Sequence, residues 1–188
     1  MYENDRWLKN KCTGFLRKVG VKKSDIIFDC CCGEGNYTIP AARISGSNGI
    51  VYAMEMNRNK LHTLREKFKS EGLKNIKIME REFNESVPLH DESVDIILLY
   101  DIFWYFSTGD MRLASLLNES QRILKDDGIV SVYPQHIDLG ILKQTILDAG
   151  FKLDKGISET IIHEDRLQKG YIWNFKKHRN GSKIKSRD

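Results

Sequence analysis

Residues 26–42 read IIFDCCCGEGNYTIPAA, and the fold turns on this stretch. It opens with a short apolar run that ends at Asp29 and Cys30, passes through a turn holding Gly33 and Gly35, and continues into a helix-compatible segment. A short apolar run bounded by a glycine turn reads as a buried strand feeding a helix. Glycines at such a turn let the backbone approach a ligand closely just before the helix begins.

Outward from it, the same unit recurs. Upstream, Trp7, Leu8, Cys12, Phe15, Leu16 and Val19 follow a helical period and predict a helix over 6–19. The first strand spans 25–30 and its helix about 36–45, with Gly46 and Gly49 punctuating the end. Residues 50–55 (IVYAME) form a second strand, after which Asn57 can cap a helix carrying Leu61, Leu64 and Phe68 that ends near Gly72. A third strand begins at 76–79, and a fourth, 94–100 (VDIILLY), reads as buried on both faces. Asp110 can cap a helix with Leu113, Leu116, Leu117 and Leu124, stopped by Gly128. A fifth strand covers 129–133 and a helix 139–149. Beyond Gly150 the rhythm changes: 151–163 and 169–177 are two long strands with no room for a helix between them, so they pair antiparallel. The pattern is five βα units followed by a β-hairpin, one α/β domain around a mostly parallel sheet.

Composition agrees. A chain of 188 residues with 40% hydrophobic and 30% charged residues suits one soluble globular domain. No apolar run approaches the ~18–20 residues of a membrane helix. The opening MYENDRWLKNK lacks the pattern of a secretory signal, so a cytoplasmic protein is expected. Cys30, Cys31 and Cys32 are consecutive, with Cys12 far away; there is no CxxC, and neighbouring strand residues point to opposite faces. Neither a disulfide framework nor a metal site is expected from them. The net charge of +4 is uneven, since the last 13 residues carry +5 and residues 1–175 carry −1. The domain is read as 1–177 and the basic tail as 178–188, either a frayed terminus or a contact for nucleic acid.

In parallel sheets of this kind ligands bind beyond the carboxyl ends of the strands. Asp29 ends the first strand beside the turn. A carboxylate there opposes a pyrophosphate and suits a cationic ligand without phosphate, which favours S-adenosylmethionine over NAD. The dinucleotide pattern GxGxxG is also incomplete, with Thr38 where its third glycine would stand. Glu55 ends the second strand, where an acid can accept both ribose hydroxyls of an adenosine. After the third strand, Glu82 is placed to accept the adenine amino group and Phe83 to offer its backbone N–H, with Asn84 as a rival in this register.

These segments resemble the class I S-adenosylmethionine-dependent methyltransferases. IIFDCCCGEGNYTIPAA is similar to the family's hDxGxGxG motif, and VYAMEMNRNKL (51–61) to its second. VPLHDESVDIILLYDIFWYF (87–106), NESQRILKDDGIVSVYP (118–134) and ILDAGFKL (146–153) resemble the later motifs, in order. The resemblance implies a Rossmann-like three-layer sandwich with a seven-stranded sheet of order 3-2-1-4-5-7-6, strand seven antiparallel. It implies that Gly33 and Gly35 flank the methionine part of the cofactor, with Tyr100 nearby, and Asp29, Cys31 and Asn36 are read with them as cofactor-binding. Glu55 would hold the ribose, and Met56, Glu82 and Phe83 the adenine. Cys31 departs from the family pattern, standing where its first glycine does and narrowing the space beside the cofactor. Locally DCCCGEGNYTIPAA also resembles the 5-methyluridine RNA methyltransferases, but their separate nucleic-acid-binding domain and later catalytic cysteine have no counterpart here.

Methyl transfer needs alignment and dryness more than a fixed base. Candidate catalytic residues are His136, after the fifth strand, and Asp101, after the fourth. Phe103, Trp104, Tyr105 and Phe106 are candidates for an aromatic acceptor pocket or for core packing. Residues 101–104 read Asp-Ile-Phe-Trp, not the Asn/Asp-Pro-Pro-Tyr of amino-group methyltransferases. The expectation is transfer to a small-molecule acceptor. The rivals are an RNA or protein methyltransferase using the basic tail, and a non-catalytic cofactor-binding partner subunit. Segment 1–19 is a candidate lid, and closure by a second subunit would serve the same end.

Overall fold

Two layers of helix enclose one twisted sheet in the computed structural model, which describes residues 3–82, 86–107, 109–164 and 166–178. Helices α1 (Glu3–Asn10) and α2 (Cys12–Val19) lead into β1 (Ile26–Cys30), α3 (Thr38–Ser45), β2 (Ile50–Glu55), α4 (Arg58–Ser70) and β3 (Ile76–Glu80). Then come β4 (Val94–Leu99), α5 (Met111–Ile123), β5 (Leu124–Val132), α6 (Leu139–Asp148), β6 (Phe151–His163) and β7 (Arg166–Lys177). The strand order is β3-β2-β1-β4-β5-β7-β6, as expected. β1 pairs in parallel with β2 and β4, and β7 runs antiparallel to both β5 and β6. No described helix is long and apolar enough to cross a membrane.

The sheet is apolar on both faces because each strand feeds both layers. In β4, Ile96 and Leu98 join the cluster under α1 to α4, while Ile97 and Leu99 join the cluster under α5 and α6. Full burial of such a side chain stabilises by about 1.5–3 kcal/mol, which outweighs any local preference of the chain. On β1 the same alternation turns Asp29 toward α3, where Thr38 receives it.

Three expectations need correction. The single helix over 6–19 is two, meeting at Lys11, so that Trp7 and Phe15 both reach the ring of Tyr37, at 6.5 and 6.1 Å between centroids. The helix expected to run to Gly128 stops at Ile123, because Leu124 pairs with Val94 and residues 125–128 form an irregularity before Ile129 pairs with Ile96. The count of five βα units also fails, since no helix lies between β3 and β4 among the described residues. Phe83 and Asn84 fall outside the described residues, as does most of the basic tail (179–188).

One feature of the hairpin positions the site. β7 pairs with β5 only from Trp173 to Phe175, so residues 166–172 run past the carboxyl edge of the sheet, with β6 alongside to its last residue. At about 3.3 Å per residue that overhang is roughly 20 Å long. It is held down by Ile161, Ile162 and Ile172, all buried, and by the Tyr37 hydroxyl, which donates to the Ile162 carbonyl at 2.8 Å.

Candidate functional site

Beyond the ends of β1, β2 and β4 lies a cavity of about 310 Å³, within the range of small-ligand sites. Its floor is Asp29, Cys31, Cys32, Gly33, Asn36 and Tyr37; Glu55 and Lys60 form one wall, and Tyr100, Asp101, Trp104 and Tyr105 the other. Ile162 and Glu164 of the hairpin complete it.

Two acids, one in the floor and one in the first wall, stand on this side of the cavity. Asp29 is only 3% exposed, and its carboxylate accepts a hydrogen bond from the Thr38 hydroxyl at 2.5 Å. Burial pushes its pKa from 3.8 to about 7, against the pull of Thr38 and with a small push from Glu55. Glu55 is 8% exposed and accepts from the Gly33 N–H at 3.1 Å and from the Asn57 N–H at 2.9 Å, one on each oxygen. Each oxygen keeps a further lone pair, the donor-seeking pair that a ribose diol would satisfy. The Asn57 side chain also caps α4, accepting from the N–H groups of Asn59 and Lys60.

The turn after Asp29 is left-handed at three residues, Cys31, Gly33 and Gly35. Gly33 has φ +56°, and a Cβ built on it would meet nothing within 4 Å, so the missing side chain is open cavity. Gly35 has φ +85°, and a Cβ there would sit 2.4 Å from Leu64 Cδ1, so it has no room for a side chain. Cys31, in place of the family's glycine, takes φ +59°, a conformation that costs a non-glycine residue about 1–2 kcal/mol. Its neighbours Cys30 and Cys32 are buried, and Cys12 with them. The contact with Cys31 and burial push the Cys30 thiol up; burial does the same for Cys32 and Cys12. These thiols stay protonated.

The opposite wall holds the candidates for chemistry. Tyr100 is buried, its hydroxyl engaged by the Ser131 hydroxyl at 2.7 Å, so it offers the cavity a ring and not a polar head. The aromatic run after β4 divides: Phe103 and Phe106 enter the core, whereas Trp104 and Tyr105 stay 44% and 49% exposed and line the cavity. Asp101 takes φ +54° and accepts from His163 Nδ1 at 2.5 Å. Burial raises its pKa, opposed by that hydrogen bond. His163 Nε2 in turn lies 2.8 Å from His136 Nε2.

Of the residues expected at the site, Asp29, Cys31, Gly33, Asn36, Glu55, Tyr100 and Asp101 line the cavity. Gly35 lies behind its floor, Met56 stands 58% exposed, Glu82 is exposed, and His136 stands behind the lining, against Trp104, His163 and Glu164. Tyr37, Lys60, Ile162, His163 and Glu164 were not anticipated. The available signal for His163 was its position at the end of a strand parallel to β5, on the same edge as every other candidate.

Comparison with known proteins places this architecture. Residues 27–128 match the family model described as "Methyltransferase domain". The demethylmenaquinone methyltransferase of Geobacillus stearothermophilus is 29% identical over 124 residues, 66% of this chain and 49% of that protein. The enzyme of that name from Staphylococcus aureus strain MRSA252 is 31% identical over 115 residues, 61% of this chain and 45% of the relative. The chain thus spans about half the length of the curated relatives it matches. In fold, it is similar to the crystal structure of a SAM-dependent methyltransferase from Aquifex aeolicus, with a TM-score of 0.72 at 20% identity over 90% of this chain and 91% of that one. With the family model covering more than half the chain and the strand order that goes with it, this protein belongs to the class I S-adenosylmethionine-dependent methyltransferases.

Proposed function

We propose that this chain transfers the methyl group of S-adenosylmethionine to a small, flat, largely apolar acceptor, in the cytoplasm. The observation that carries the reading is the polarity of the cavity from end to end. Two nearly buried carboxylates, Asp29 and Glu55, stand at one side, and two exposed aromatic rings, Trp104 and Tyr105, at the other. The residues fit the cofactor: a cationic amino acid end beside Asp29, a diol on the two lone pairs of Glu55, and a backbone cradle where Gly33 lacks a side chain. When bound, the sulfonium would supply an electrophilic methyl carbon to the acceptor's lone pair, the C–S electrons returning to sulfur. Everything else is the protein's part. Tyr37 and Tyr100 pack edge to face at 4.9 Å and present hydrocarbon to the cavity. Ile162 and Glu164 of the hairpin complete the lining. Asp101 and His136, linked by His163, offer the polar groups that hold the acceptor's reacting end.

The relatives' name, demethylmenaquinone methyltransferase, supports a small aromatic acceptor of this shape. The test is incubation of the chain with labelled cofactor and a panel of hydroxylated aromatic compounds, with RNA and protein extracts in parallel. Label in the small-molecule fraction is the expected result. Label confined to RNA or protein would move the reading to a macromolecular acceptor.

A further inference from the structure

The hairpin tip brings a second set of ligating atoms to the acceptor end of the cavity. His136 comes from the loop after β5, His163 from the last position of β6, and Glu164 from the turn beyond it. His136 Nε2 and His163 Nε2 are 2.8 Å apart, His136 Nε2 and Glu164 Oε1 3.8 Å, and one ligand atom of each residue lies within 4.8 Å of the others. Behind them, Asp101 accepts from His163 Nδ1, so the His163 Nε2 lone pair accepts from His136 Nε2–H, and a metal ion between the two nitrogens would take the place of that proton, which passes to solvent or to His136 Nδ1. Trp104 stacks on the His136 ring at 5.5 Å with planes 25° apart and fixes its orientation.

The backbone shows that this convergence is imposed. Asp101, His136 and Glu164 have φ of +54°, +62° and +47°, three of the six non-glycine residues in the left-handed region among the described ones. They come from three separate segments: His136 and Glu164 meet in the cluster, and Asp101 stands behind His163.

We propose that His136, His163 and Glu164 form a binding site for a divalent transition-metal ion, with Asp101 as the positioning residue behind His163. Two imidazoles and one carboxylate are a zinc-type donor set, and three protein ligands leave a fourth position open. Zinc–nitrogen bonds of about 2.0–2.1 Å place tetrahedral ligand atoms roughly 3.3 Å apart, so the 2.8 Å pair opens and the 3.8 Å pair closes by about half an ångström each. A carboxylate that accepts from the remote nitrogen of a metal-binding histidine is the usual support for such a ligand. Of the three ligands Glu164 lines the cavity, which puts the ion at the cavity's edge. There the ion would bind the acceptor's oxygen, nitrogen or sulfur and favour its deprotonated form. That role rests on the methyltransferase reading; the binding of the ion does not. The consecutive cysteines gave no reason to expect a metal, and the site emerges from residues distant in sequence.

The test is titration of chelator-treated full chain with Co²⁺, followed by absorption spectroscopy, and equilibrium dialysis against Zn²⁺, with S-adenosylmethionine binding measured in parallel. One ion per chain and a tetrahedral Co²⁺ spectrum are expected. His136→Ala and Glu164→Gln, both at exposed side chains, should each weaken binding at least about 10-fold without unfolding the chain, and Asp101→Asn should cost about 10- to 100-fold and alter the spectrum. Absence of stoichiometric binding to the folded chain overturns the proposal. So does binding that survives both exposed substitutions, which would assign the ion to the thiols. Cofactor binding without metal binding removes this site and leaves the methyltransferase reading in place, whereas metal binding without cofactor binding does the reverse.

Discussion

The hydroxyl of Tyr37, in the turn after β1, donates to the carbonyl of Ile162, one residue before the end of β6 and 125 positions away in sequence. This bond ties the floor of the cavity to the hairpin beside it. It is buried, so its loss leaves a carbonyl without a donor.

Tyr37→Phe removes that bond and little else. The expected cost is about 1–3 kcal/mol in unfolding free energy, with faster amide exchange at residues 160–164. Unchanged exchange there would show that the hairpin is held by its isoleucines alone.

Glu55→Ala should weaken S-adenosylmethionine binding by about 1.5–3 kcal/mol, roughly 10- to 150-fold in dissociation constant. Both oxygens already accept from the backbone, at Gly33 and Asn57, so the acid arrives oriented. Calorimetry on a mutant that keeps its circular dichroism checks this; unchanged affinity removes Glu55 from the site.

Asp29 makes stability depend on pH in the unusual direction for an acid. Its folded pKa of about 7 lies above the unfolded value of 3.8. Between these values the folded chain holds a proton that the unfolded chain has released, so the contribution is fully present below about pH 4 and is lost as pH rises to about 7. The size is on the order of a few kcal/mol. Asp29→Asn should therefore raise the melting temperature relative to wild type at pH 8 and not at pH 4. A cationic ligand beside Asp29 favours the carboxylate, so cofactor binding should release a proton near pH 6, seen by calorimetry in buffers of different ionisation enthalpy, and the Asn variant should not.

Cys31→Gly relieves a left-handed non-glycine residue and restores space beside the cofactor. The relief of about 1–2 kcal/mol exceeds the roughly 0.5–1 kcal/mol that glycine's extra freedom costs. Slightly higher stability and tighter cofactor binding are expected. Weaker binding would mean that the Cys31 side chain is itself a contact.

The sheet was legible because β1, β2 and β4 are apolar runs ending at chemically distinctive residues, and the acids Asp29 and Glu55 follow from their places at those ends. What was not legible depends on long-range geometry. The run IFWYF, 102–106, gives no local sign that Phe103 and Phe106 turn inward while Trp104 and Tyr105 turn out, because that division follows from where α5 packs. His136 could be named from its strand end, but its partner His163 lies on a hairpin whose length was readable and whose reach over the sheet edge was not. The overhang depends on β5 pairing with only three residues of β7, a register no local pattern reveals.

The most direct test of the methyltransferase account is calorimetric titration of the purified chain with S-adenosylmethionine, S-adenosylhomocysteine and NAD. Micromolar binding of both sulfur compounds at one site per chain, with none of NAD, is the expected result. Binding of NAD alone, or of none of the three by a folded chain, would contradict it.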